Sequence, residues 1–168
     1  MRKILTGLCI IFALSATTIT YSEVVDMKEF GHCAVGTEID DVTNVKSPRL
    51  ICLGKGDKLG NSAVILTCTQ KVFATLLQAG IQSHADETID VTYRFDEGKL
   101  ATESWNYTEN RAVNLVEGVH HRFVESIAKA KKLVFEVGKG PGSVDLTGSA
   151  DAATEYKKRC AALSRPIK

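Results

Sequence analysis

Residues 91–107 read VTYRFDEGKLATESWNY. Val91, Tyr93 and Phe95 alternate with Thr92, Arg94 and Asp96, and Ile89-Asp90 extends the pattern backwards. Period-two alternation of this kind belongs to a strand with one dry and one wet face. The turn that follows fixes what lies opposite. A two-residue loop would put Glu97 at positive φ, a conformation that suits Asn or Asp better than Glu. A three-residue loop puts Asp96-Glu97 in a type I turn and Gly98 in the left-handed position, where glycine meets no steric cost. In that register Phe95 faces Lys99, Tyr93 faces Ala101 and Ile89 faces Trp105. Tyr93, Phe95 and Trp105 then share the core face. Glu103 falls beside Val91, an awkward place unless it lies near the sheet edge. A slip of one residue would move Trp105 to the side of Arg94.

Short segments separated by turn residues precede and include this hairpin: 32–39, 45–53, 62–69, 72–78, 88–96 and 99–107. Both faces of Ala63–Cys68 are fairly apolar, as in a central strand. Residues 23–31 carry little pattern and are expected to be loosely attached. Beyond the hairpin the period changes. Val119, Phe123 and Ile127 recur at helical spacing, with His121, Glu125 and Lys129 opposite, which predicts an amphipathic helix. Leu133–Val137 reads as a strand, Gly138–Gly142 as a loop and Ser143–Thr147 as its hairpin partner. A closing helix follows, with Ser149 as N-cap, Asp151 in its first turn and Lys157-Lys158-Arg159 at its C-terminal end. Ala153, Tyr156 and Cys160 share one stripe, so Cys160 points inward. The sum is an α+β domain on a mainly antiparallel sheet of about six to eight strands, with one amphipathic helix and a C-terminal helix.

The N-terminus reads as an address. Met1-Arg2-Lys3 precedes an uncharged run from Ile4 to Ile19, the pattern of a secretory signal peptide over residues 1–22. An uncleaved anchor is the alternative, although five Ser and Thr residues between Thr6 and Thr20 dilute the apolar run. Residues 23–168 form a single exported domain, placing the protein in the periplasm or outside the cell. Without Arg2 and Lys3, the 21 basic residues become 19 against 20 acidic ones, a formal charge of −1. That balance points away from nucleic acid and anionic membranes. Cys9 leaves with the signal. Cys33, Cys52, Cys68 and Cys160 remain, an even number that reads as two disulfides with three possible pairings. Cys68 in a central strand and Cys160 on an inward helix stripe are natural partners, which leaves Cys33 and Cys52 to join the first two strands. None of these cysteines has zinc-finger spacing.

Candidate chemistry is sparse. His120 and His121 are neighbours on a helix and cannot face one ligand set. His121 with Glu125 could hold a metal, with His84 joining from a loop, but H-E-x-x-H is absent. A solvated His121–Glu125–Lys129 ladder is the simpler reading. The glycine–lysine segments 54–60 and 138–142 do not match a phosphate-binding P-loop. Arg94, Asp96, Glu97 and Glu103 read as surface pairs on a hairpin tip rather than a glycosidase pair. No G-x-S-x-G occurs, and the disulfides consume the cysteines. A hydrolase would need a cleft gathering His84, His120 or Glu103. Neither a metal nor a small-molecule cofactor is expected.

Taken in order, "TEIDDVTNV", "AVILTC", "VTYRFDEGK…W", a phenylalanine-containing helix, "KLVFEV", "VDLTG" and a final helical cysteine resemble the VasI/TagO family. These are exported accessory proteins associated with type VI secretion, and the likeness covers roughly residues 33–160. The resemblance implies a non-enzymatic envelope accessory or adaptor that binds a protein partner; it supplies no catalytic residues. An inhibitor or immunity protein that blocks an exported toxin or cell-wall hydrolase is the alternative. Arg94, Asp96, Glu97 and His84, the last within the loop at residues 79–87, are the candidate partner-binding residues. Tyr93, Phe95, Gly98 and Trp105 are the structural ones.

Overall fold

The computed structural model describes residues 23–54, 62–79, 87–108, 111–138 and 140–163. Their elements run β1 (Glu23–Phe30), β2 (Cys33–Ile39), β3 (Lys46–Leu53), β4 (Ala63–Cys68), β5 (Phe73–Gln78), β6 (Glu87–Phe95), β7 (Ala101–Thr108), β8 (Arg111–Asn114), α1 (Glu117–Ile127), β9 (Lys132–Val137), β10 (Gly140–Asp145) and α2 (Ser149–Leu163). The strands form one antiparallel sheet in the order β1-β2-β3-β4-β5-β8-β7-β6-β9-β10. The α+β class and the antiparallel sheet are as expected, but the sheet has ten strands rather than six to eight.

The extra strands have physical explanations. Residues 23–31, expected to be loose, supply edge strand β1, which pairs along β2. Nearly all its side chains are exposed, so no hydrophobic alternation marks it. Its attachment is polar instead. Lys28 pairs with Glu155 of α2 at 3.1 Å, and Arg159 donates to the Asp26 carbonyl at 2.9 Å and to Thr37 Oγ1 at 3.3 Å. A register shift between Val25 and Lys28, with Asp26 at φ 54°, breaks the edge that another strand could otherwise extend. β8 has four residues, and its two buried positions are Ala112 and the polar Asn114, so no apolar alternation marks it. In the last hairpin, Gly140 and Gly142 belong to β10 and not to a loop, because Gly142 lies under the Phe135 ring. A Cβ there would stand 2.4 Å from the ring carbons.

One face of the sheet carries the core. Val35, Leu50, Val64, Leu66 and Leu77 from β2–β5 continue into Ala112, Tyr107, Trp105, Val91, Tyr93, Phe135 and Leu133. The sheet rolls so that β10 comes to lie against β3 and β4. A Cβ on Gly54 would stand 2.2 Å from the Ser143 carbonyl, so this closure requires glycine there. β8 pairs with β5 and β7 only along part of their lengths, and beyond it the chain enters α1. Phe123 of α1 packs its ring against Tyr93, Phe95 and Trp105, at centroid distances of 4.9, 5.4 and 5.6 Å.

The helices match their periodicity with two corrections. Ser149 is the first residue of α2, and its hydroxyl donates to the Ile127 carbonyl at 2.5 Å. It therefore joins the end of α1 to the start of α2 instead of capping its own helix. Lys157-Lys158-Arg159 does not close α2, which continues to Leu163 with no basic residue in its last turn.

Both disulfides pair as expected. Cys33 and Cys52 sit directly opposite on β2 and β3, and Cys68 joins β4 to Cys160 on α2. In the chain-entropy model the 92-residue separation is worth roughly 4–5 kcal/mol and the 19-residue one about 3. Two structural disulfides fit an oxidising compartment. Among the described residues no helix is long and apolar enough to cross a membrane. Residues 1–22, read as a signal peptide, lie outside the described residues.

Candidate functional site

The β6–β7 hairpin has the expected register: Tyr93 pairs with Ala101, Val91 with Glu103 and Ile89 with Trp105. Tyr93 and Trp105 are buried, and Phe95 packs against the core beside them. The turn differs from expectation. Gly98 donates to the Phe95 carbonyl at 2.9 Å, but the positive φ of 48° belongs to Asp96. Asp tolerates the left-handed region better than most residues. Here its carboxylate also has work elsewhere. Oδ1 accepts the amides of Lys131 and Lys132 at 3.0 and 2.9 Å, and the Asp96 amide donates to the Lys132 carbonyl at 2.9 Å. Asp96 thus fastens the hairpin to the connection between α1 and β9. Of the candidate partner-binding residues, Arg94 and Glu97 remain on the surface, 4.0 Å apart, with Glu97 96% exposed. His84 lies outside the described residues, as does most of its loop.

Glu103 is better placed than its neighbour Val91 suggested. On the inward face of β7 it accepts from Tyr93 Oη at 3.0 Å, from Trp105 Nε1 at 3.2 Å and from Arg122 at 2.5 Å. Its side chain is 27% exposed. β8 does not pair at this level of β7, so Arg122 from α1 can reach the carboxylate and neutralise it. Burial raises the Tyr93 phenol above its ordinary pKa. The four polar groups, Tyr93, Glu103, Trp105 and Arg122, thus satisfy one another.

The two histidines separate. His120 is 1% exposed. Burial lowers its pKa from 6.5 to about 4, so the ring is neutral at neutral pH. Nδ1–H donates to the Ala74 carbonyl at 3.2 Å, with Thr75 Oγ1 at 3.4 Å, and Nε2 accepts from Tyr156 Oη at 3.1 Å. Burial likewise raises the Tyr156 pKa. This relay ties β5 to α1 and α2. His121 is exposed and bonds back to Glu117 at 3.2 Å, whereas Glu125 pairs across to Lys157 at 2.9 Å. The expected His121–Glu125–Lys129 ladder is therefore replaced by a link between helices. Among the described residues, His120 and Glu103 share no hydrogen-bond partner. No group of three His, Cys, Asp or Glu residues could hold a metal among the described residues.

A different region gathers the features of a binding surface. The Asp40–Val45 loop, the Thr69–Val72 turn and the end of α2 enclose a groove of about 700 Å³. Asp40 builds the first wall: its Oδ1 accepts the Val42 and Thr43 amides at 3.1 and 2.7 Å and the Thr43 hydroxyl at 2.8 Å. The Thr43 amide, ahead of the other contacts, holds the Asp40 pKa below its ordinary value. Asn44 then turns back at φ 54°, and the Asp40 amide closes on the Val45 carbonyl at 3.1 Å. Thr69 builds the second wall, its Oγ1 accepting the Lys71 and Val72 amides at 3.2 and 2.9 Å. Gln70 Nε2 reaches the Leu163 carbonyl at 3.1 Å and joins that turn to α2. The Cys68–Cys160 disulfide joins the residue before Thr69 to the last turns of α2.

These loops expose valines beside their polar residues. Val42, Val45 and Val72 are 75%, 46% and 47% exposed, on turns whose polar atoms are already bonded. In the sequence, Asp40-Asp41 and Gln70-Lys71 are only turn residues between the segments 32–39 and 45–53 and between 62–69 and 72–78. The available signal was an Asp or Thr bonding its own backbone two or three residues on, with a valine among the residues so bonded.

Compared with known proteins, the chain matches no family model, no curated protein and no solved structure.

Proposed function

We propose that this protein is an exported, non-enzymatic accessory of the cell envelope that works by binding a protein partner, in the setting of type VI secretion that its resemblance to the VasI/TagO family implies. The observation that carries the reading is the groove beside α2. Exposed valines on two internally bonded turns, backed by a disulfide, form a surface that needs little ordering on contact, and pre-organisation of this kind raises affinity by lowering the cost of binding. The polar groups of the hairpin and of the His120 relay support the same reading, because their hydrogen bonds serve the fold. No cofactor enters it, and nucleic acid is not its partner.

Crosslinking in the native envelope tests the proposal. Recovery of secretion-apparatus subunits is the expected result. Recovery of one toxin or cell-wall hydrolase in equimolar complex would replace the accessory role with that of an inhibitor or immunity protein.

A further inference from the structure

We infer that the groove between the Asp40–Val45 loop, the Thr69–Val72 turn and the end of α2 takes an acidic, aliphatic segment of the partner protein. This deepens the accessory reading and rests on it. An apolar side chain would seat against Val45, Val72 and Leu163, and flanking carboxylates would meet Lys46 and Lys71.

Charge complementarity selects this occupant. Lys46 and Lys71 both line the groove and are exposed, and no carboxylate lines it among the described residues. Two carboxylates belong to the loop of the first wall: Asp40 spends its Oδ1 on Val42 and Thr43, and Asp41 is exposed but does not line the groove. A basic segment would meet like charge on both sides. A purely apolar one would leave the two ammonium groups without a partner. Lysine stems can lie along an apolar side chain while their heads meet a carboxylate, so the two kinds of contact fit one short peptide. The scaffold favours an extended ligand held without rearrangement, since Cys68 and Cys160 anchor the second wall and the α2 side together. Gln70, bonded to Leu163, closes the gap between those two walls.

The test uses the oxidised full chain and a labelled hexapeptide of two leucines flanked on each side by two aspartates. Binding that weakens with added salt is expected. A Lys46→Glu/Lys71→Glu double variant should lose roughly tenfold in affinity and gain binding to the same peptide with lysines in place of aspartates. Val72→Asp should also lose binding, with melting temperature recorded to confirm that it folds. Equal binding of the acidic and basic peptides by the parent protein would overturn the inference, as would an unchanged affinity in the double variant. A chain ending at Leu163 should bind as the parent does. A gain of about tenfold on that truncation would assign the groove to the protein's own last residues and overturn the partner assignment. Envelope crosslinking separates the two levels. If parent and double variant capture the same partner in equal yield, the groove is refuted and the accessory role stands. If the parent captures no partner, the accessory role itself falls.

Discussion

The β6–β7 turn and the groove beside α2 make opposite use of their polar residues. At the turn a dense charged motif, Arg94, Asp96 and Glu97, looks like a recognition site, yet its central carboxylate is bound to the backbone of Lys131 and Lys132. At the groove two unremarkable turn residues, Asp40 and Thr69, spend their oxygens on their own loops and leave valines facing outward. The lesson concerns direction. A polar side chain that bonds distant backbone consolidates the fold, whereas one that bonds its own turn frees the neighbouring residues to face a partner.

This contrast can be broken experimentally. The largest effect is expected from Cys160→Ala, which releases α2 from β4 and removes the support of one groove wall. The loop-entropy model puts the loss at roughly 4–5 kcal/mol, measurable by denaturant unfolding under non-reducing conditions. Peptide binding at the groove should fall with it, while the hairpin register, read from NMR contacts between Ile89 and Trp105, should persist. Loss of the hairpin register as well would mean that the two regions are not separable.

Next in size is the response to acid. His120 is neutral in the folded protein and has a pKa near 4 there, below its unfolded value of 6.5. Between those values the unfolded chain binds the extra proton, so stability is full above about pH 6.5 and declines as pH falls towards 4. The decline should approach about 3 kcal/mol, since each unit of difference corresponds to about 1.4 kcal/mol. Urea midpoints across that range check it, and His120→Phe should flatten the slope. A slope unchanged in that variant would remove His120 as its origin.

Asp96→Ala should cost about 1–3 kcal/mol, because two backbone amides lose a charged acceptor and the left-handed φ falls to a residue less suited to it. Glu97→Ala, one position on, should change stability by no more than a few tenths of a kcal/mol, as expected for an exposed pair. Thermal melts of the two variants side by side check this. Equal losses would contradict the assignment of structural work to Asp96 alone.

The fold was legible where a signal lies within one element. Alternation from Ile89 to Asp96 predicts the strand, and the choice of a three-residue loop predicts the register that brings Trp105 opposite Ile89. The conformation inside that loop was not legible. Gly98 is the better local candidate for positive φ, and Asp96 takes it because amides some 35 residues further on fix its carboxylate. β1 escaped detection for a related reason: polar contacts with α2, Lys28 to Glu155 and Arg159 to the Asp26 carbonyl, hold it, and its side chains are mostly exposed. The disulfide pairing could be read from element type, since a central strand and an inward helix stripe each offer one core-facing cysteine. The groove could not. Each wall is a visible turn, but their meeting depends on the sheet order and on where α2 ends.

The Cys68–Cys160 bond also sets a sequence of events in the life of the chain. Its partners lie 92 residues apart, and between them come β5 to β10, α1 and most of α2. Contacts of such long range form late, after the intervening loops have closed. While the last helix is still unmade, Cys68 has Cys33 and Cys52 as its competitors among the described residues. The native pair of those two, directly opposite on adjacent strands, can close early and withdraw them from exchange. The short disulfide thus guards the fidelity of the long one, and the binding surface matures only when the final turns of the protein arrive.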